Sequence, residues 1–163
     1  MLQSKAKMSL ARRGFVAGLG ACVAAPAVHA AGLGTTDMIV ADPRSGIAIF
    51  GFDAVAYFVE GRARAGDPDH EAVWSGVAWR FCSEANRVAF LRNPEVFAPA
   101  FGGYDAEAVS RGTPVDSDPT VYLIEDGRLL LFRSVEARQR WLATDLRAAA
   151  DTAWPGMRRL LQP

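Results

Sequence analysis

The chain has 163 residues, half of them hydrophobic and 22% charged, a globular composition that excludes a disordered or fibrous protein. Its 18 basic and 18 acidic residues balance to a formal net charge of zero. No strongly cationic character points to nucleic acid or to an anionic membrane surface.

In chain order, the first segment is a predicted export signal. Residues 1–30 hold Lys5, Lys7, Arg12 and Arg13 and no acid, so without them 14 basic residues face 18 acidic ones, a net charge of −4. Arg12-Arg13-Gly14-Phe15-Val16 has the Arg-Arg-x-Phe-hydrophobic pattern of a twin-arginine signal. The apolar stretch from Phe15 to Ala25 is about ten residues, too short to span a bilayer. Val28 and Ala30 suit cleavage after Ala30, which predicts a periplasmic protein. Gly14, Gly18, Gly20 and Pro26 weigh against reading the segment as a core helix. Leu19-Gly20-Ala21-Cys22 loosely resembles a lipoprotein box, but the apolar run before Cys22 is very short, so a lipid anchor ranks below simple cleavage.

The 133 residues that remain are enough for one core. Residues 31–45 read as a flexible N-terminal arm and 46–163 as one domain, with no internal repeat evident. Ile47–Phe50 reads as a short strand, and Val55–Val59 as a strand or a short apolar helix. Val73–Phe81 holds two strands about Ser75-Gly76, a hairpin signal. Ser83 caps a helix with a stripe of Ala85, Val88 and Ala89, which ends at Asn93 because Pro94 follows. Asp105–Arg111 allows one or two helical turns. Val121–Phe132 is a hairpin turning at Asp126-Gly127. Ser134 caps a helix with Val135, Leu142 and Leu146 on one face. Trp141 and Trp154 read as core residues. Hairpins interspersed with helices predict a small single-domain α+β fold rather than a doubly wound sheet.

Candidate chemistry is sparse. Cys22 lies in the leader, so Cys82 is the one thiol of the exported domain and no internal disulfide is possible. Cys82 sits at a strand end before a helix N-terminus, where backbone dipoles can lower a thiol pKa. The alternative is a small buried hydrophobe. His70 lies in the polar run Gly66–Glu71, as a metal ligand or a solvated surface group. Asp53 and Asp105 are paired carboxylates if the fold joins them, or otherwise a turn residue and an N-cap. Gly102-Gly103 marks positive φ or a close backbone approach. No phosphate loop, dinucleotide fingerprint or Ser/His/Asp set is present.

Gly51-Phe52-Asp53-Ala54-Val55-Ala56-Tyr57-Phe58, Gly76–Arg87, Pro94–Pro99 and Gly102-Gly103-Tyr104 follow in an order and spacing that resembles the exported branch of the YHS domain family. The hairpin Tyr122–Phe132 and the tail Asp151–Pro155 extend the likeness over about residues 46–156. The resemblance implies a copper or zinc site, or a small-ligand site, in an accessory protein that is not an enzyme. The metal candidates are Cys82, Asp105 and His70; Asp53, Tyr57 and Tyr104 are further candidates within the motifs. The chain departs from the family twice: Asp53-Ala54-Val55-Ala56 lacks the cysteine of short metal-associated relatives, and Asp105 stands where the exported branch carries a cysteine. The alternatives are a periplasmic partner-binding subunit with no metal, or a thiol-dependent redox protein using Cys82.

Overall fold

The computed structural model describes residues 38–162. The expected signal, its expected cleavage site and Cys22 lie outside the described residues, as do residues 31–37 of the expected arm. Among these residues two hairpins and six α-helices form an α+β fold. The first half holds helix α1 (Ala56–Val59), strands β1 (Asp67–Trp74) and β2 (Val77–Phe81), and helices α2 (Glu84–Arg92) and α3 (Pro94–Phe97). The second half holds α4 (Ala106–Val109), β3 (Asp118–Glu125), β4 (Arg128–Phe132), α5 (Val135–Ala143) and α6 (Arg147–Leu160). Among the described residues no helix is long and apolar enough to cross a membrane.

The second half repeats the first, which the sequence reading did not anticipate. β1 pairs with β2 from Asp67↔Phe81 to Trp74↔Val77, and β3 with β4 from Asp118↔Phe132 to Glu125↔Arg128, each position 51 residues on. Both pairings carry a bulge at the same place, between Asp67 and Glu71 and between Asp118 and Tyr122. Both hairpins turn through two left-handed residues, Ser75-Gly76 (φ 52° and 79°) and Asp126-Gly127 (φ 48° and 74°), the geometry that matches strand twist. Ser83 and Ser134 each cap the following helix, accepting from the N–H of Asn86 and of Ala137.

Upstream of each hairpin the backbone makes the same rare excursion. Ile49, Phe50 and Gly51 have φ of 43°, 56° and 81°; Phe101, Gly102 and Gly103 have 56°, 62° and 84°. Each excursion leads into an aspartate. The Asp53 N–H donates to Arg64 O at 2.8 Å and the Asp105 N–H to Val115 O at 2.8 Å. Three consecutive left-handed residues carry strain that surrounding packing must offset. At Gly102 the need is absolute, because a Cβ there would lie 1.9 Å from Met38 O.

Each half builds its own core, and β4 separates them. Leu129 and Leu131 face a first core of Val55, Tyr57, Trp79, Phe81 and Phe90, whereas Leu130 and Phe132 face a second that includes Val109, Ala137 and Trp141. Alternation along a strand sends successive side chains to opposite faces, so the stretch wedged between two cores, Leu129–Phe132, is apolar throughout. β2 has one buried face, and there Ala78 and Arg80 alternate with Val77, Trp79 and Phe81.

Several expectations differ from the structure. Ile47–Phe50 is not a strand: Ile47 and Ala48 make isolated bridges to Ala78 and Ala41, and a 3-10 turn follows. Of the expected arm, Ile39 and Val40 are buried, each in a different core. The helix faces are also rotated. α2 buries Phe90, while Ala85 is exposed. α5 buries Ala137 and Trp141, and Val135 and Leu142 face solvent. Bulky aromatics one turn apart or beside a hairpin claim the core ahead of smaller aliphatics.

Candidate functional site

Asp53 is the hub of the first half. Its side chain is fully buried. One oxygen accepts from Val55 N–H at 2.8 Å and Ala56 N–H at 3.2 Å, capping α1. The other accepts from Cys82 N–H at 2.8 Å and from Asn86 Nδ2 at 2.7 Å. Four donors occupy both oxygens, so the carboxylate ties α1 to the β2–α2 junction and has little capacity left for a metal.

Cys82 borders this hub, half-buried. Asn86 Nδ2 donates to its Sγ at 3.4 Å, and its thiol faces Glu60 Oε1 at 3.7 Å. Burial, with the carboxylates of Asp53 and Glu60 beside it, pushes the thiol up to about 11. The helix start that favours a thiolate is outweighed by desolvation and negative charge. Glu60 itself is paired with Arg62 at 2.8 Å and Arg64 at 2.7 Å.

Asp105, the counterpart of Asp53, is equally buried. Its Oδ1 accepts from Glu107 N–H at 3.1 Å, and its Oδ2 has no hydrogen-bond partner. The position matching Asn86 is Ala137, which offers no side-chain donor. Burial, reinforced by the nearby Glu107 carboxylate, raises the Asp105 pKa. Glu107 is held down by Arg111, with Arg140 at 3.3 Å adding to it.

The expected metal set does not assemble. His70 is not in a polar loop but within β1, at its bulge, with Nδ1 3.8 Å from Glu84 Oε2. Cys82 sits by Asp53, and Asp105 lies beside β4 in the other half. Among the described residues no group of three or more His, Cys, Asp or Glu side chains is placed to hold a metal ion, and zinc or copper sites need such convergence. Asp53 and Asp105 are separate hubs rather than paired carboxylates. Tyr57 is buried and donates to Pro119 O at 2.8 Å, joining the two halves. Tyr104 is buried, 6.3 Å from the Trp154 ring.

Elsewhere, a cleft of about 460 Å³ opens between the two hairpin turns, α3 and α6, walled by Trp74, Phe101 and Trp154 and edged by Glu95, Arg128 and Arg158. Trp154 stacks edgewise on Phe101 at 6.0 Å. Arg128 lies over the Phe101 ring at 5.0 Å and pairs with Asp151 at 2.9 Å. Trp154 is thus half-buried, packed against the second core as expected and lining the cleft as well. Trp74, Glu95, Arg128 and Arg158 were missed by the sequence reading, since residues of five separate segments meet here. Gly102 was the one signal: its backbone lies against the cleft wall, 3.2 Å from Trp154 Cη2 at the Cβ position.

The fold and site define a two-lobed α+β module with a lateral aromatic cleft. No family model matches the chain, and no curated protein or solved structure does either.

Proposed function

We propose that the chain is an exported YHS-type binding or accessory protein that takes a small organic ligand in the aromatic cleft. The carrying observation is the cleft itself. Its volume of about 460 Å³ falls within the range of small-molecule sites, which are apolar-walled with a few polar groups. Two further points favour ligand binding over the alternatives. The described residues hold no convergent metal donors, and a thiol pushed up to about 11 is a poor nucleophile at neutral pH. The twin-arginine pattern of residues 12–16 supports a periplasmic location.

Thermal unfolding of the full chain with millimolar phenyl-bearing compounds tests the reading. A ligand that fills the cleft raises the melting temperature with concentration, and Trp154→Ala abolishes the rise. No rise with any compound, together with a protein partner that co-purifies stoichiometrically, would replace ligand binding by the partner-subunit reading. Export is tested by fusing residues 1–30 to a reporter: Arg12→Lys with Arg13→Lys should retain it in the cytoplasm.

A further inference from the structure

The charges around the cleft narrow its ligand. Arg128 is compensated, because Asp151 pairs with it at 2.9 Å. Glu95 on α3 and Arg158 on α6 are exposed, and neither makes an ion pair or a side-chain hydrogen bond among the described residues. Both line the same opening, yet their charged groups do not pair with each other. Arg158 follows Trp154 by four residues on α6, so the indole and the guanidinium share one helix face. On the other side, Glu95 stands at the start of α3, and Trp74 ends β1 at the first hairpin turn.

Among the described residues the cleft therefore offers one unpaired anion, one unpaired cation and aromatic walls. Resting on the small-ligand reading above, we infer that it binds an amino-acid-like zwitterion with an apolar body. The ligand's ammonium group faces Glu95, with the indole of Trp74 on the same side adding cation–π attraction. Its carboxylate faces Arg158, whose planar fork suits two carboxylate oxygens. The apolar body covers Phe101 and the indoles. A ligand with one charge leaves the opposite protein charge uncompensated, and a neutral one leaves both.

Four compounds sharing one phenyl body separate these contributions: L-phenylalanine, phenethylamine, 3-phenylpropionate and 2-phenylethanol. Their dissociation constants for the full chain are measured by nuclear magnetic resonance titration. L-Phenylalanine should bind tightest, with each singly charged analogue weaker by about two- to fivefold, the range of solvent-exposed ion pairs. Glu95→Gln should erase the advantage of L-phenylalanine over 3-phenylpropionate, and Arg158→Gln its advantage over phenethylamine. Equal affinity for all four compounds would overturn the zwitterion inference and leave the small-ligand reading standing. Binding of none of them, with no response at Trp74 or Trp154, would overturn both.

Discussion

Asp53 and Asp105 stand at the same place in the two halves of the chain, but Asp53 receives four hydrogen bonds and Asp105 leaves one buried oxygen without a partner. Two donors to the second Asp53 oxygen make the difference, the Cys82 N–H and Asn86 Nδ2; Ala137 stands at the position matching Asn86. Asn86→Ala removes one of these donors and leaves that oxygen with the Cys82 N–H alone. Losing a donor to a buried carboxylate costs about 1–3 kcal/mol, visible as a lower urea midpoint. An unchanged midpoint would show that the Asn86 bond contributes nothing net.

Asp105 predicts a pH dependence of opposite sign to that of an ordinary paired carboxylate. Burial holds its folded-state pKa above the unfolded value. The folded chain keeps a proton that the unfolded chain releases first, so this group's contribution declines as pH rises through that interval. Asp105→Asn cannot titrate. Its stability relative to the parent should therefore improve from about pH 4, where an unfolded aspartate ionises, toward neutrality. A difference that is flat or reversed with pH, measured by chemical denaturation at each pH, would contradict this assignment.

Tyr57 links the halves through its bond to Pro119 O at 2.8 Å. Tyr57→Phe keeps the ring, 4.9 Å from Tyr122, and removes the donor. The expected loss is about 1–3 kcal/mol, from a buried carbonyl left unsatisfied, with the denaturant slope unchanged. Burial also pushes the Tyr57 hydroxyl well above the usual tyrosine range. A spectrophotometric titration should find it un-ionised when ordinary tyrosines, near pH 10, are half titrated.

Cys82 should react slowly. With its pKa pushed up to about 11, labelling by iodoacetamide at pH 8 should be at least about tenfold slower than that of an unperturbed thiol. Glu60→Gln removes a neighbouring carboxylate and should speed it. Rapid labelling at neutral pH would restore the thiol-redox alternative.

The elements legible in the sequence were those enforced by backbone geometry. Ser75-Gly76 and Asp126-Gly127 marked both hairpins, Ser83 and Ser134 both helix starts, and Gly102-Gly103 the left-handed turn. The repeat was hidden because few side chains recur beyond such positions, Phe81 and Phe132 among them. Packing positions diverge: Trp79 answers to Leu130, Cys82 to Arg133 and Asn86 to Ala137, since each core is filled to its own shape. Helix faces went astray where aliphatic spacing was counted and an aromatic decided burial, as with Phe90 and Trp141. The candidate site was the least legible part. Cys82, Asp53 and Asp105 drew notice as chemically able residues, whereas the cleft depends on Trp74, Glu95, Phe101, Arg128, Trp154 and Arg158, none of which is distinctive alone.

The four tryptophans allow the cleft to be tested against an internal control. Trp74 and Trp154 wall it, whereas Trp79 and Trp141 are buried in the two cores. The most direct measurement is the ¹⁵N-indole spectrum of the protein titrated with L-phenylalanine. Ligand in the cleft predicts saturable shifts of the Trp74 and Trp154 Nε1–H signals, with that of Trp141 unmoved and that of Trp79, which donates to Trp74 O at 3.1 Å, moved less. Four unmoved signals, or shifts confined to Trp79 and Trp141, would contradict the account.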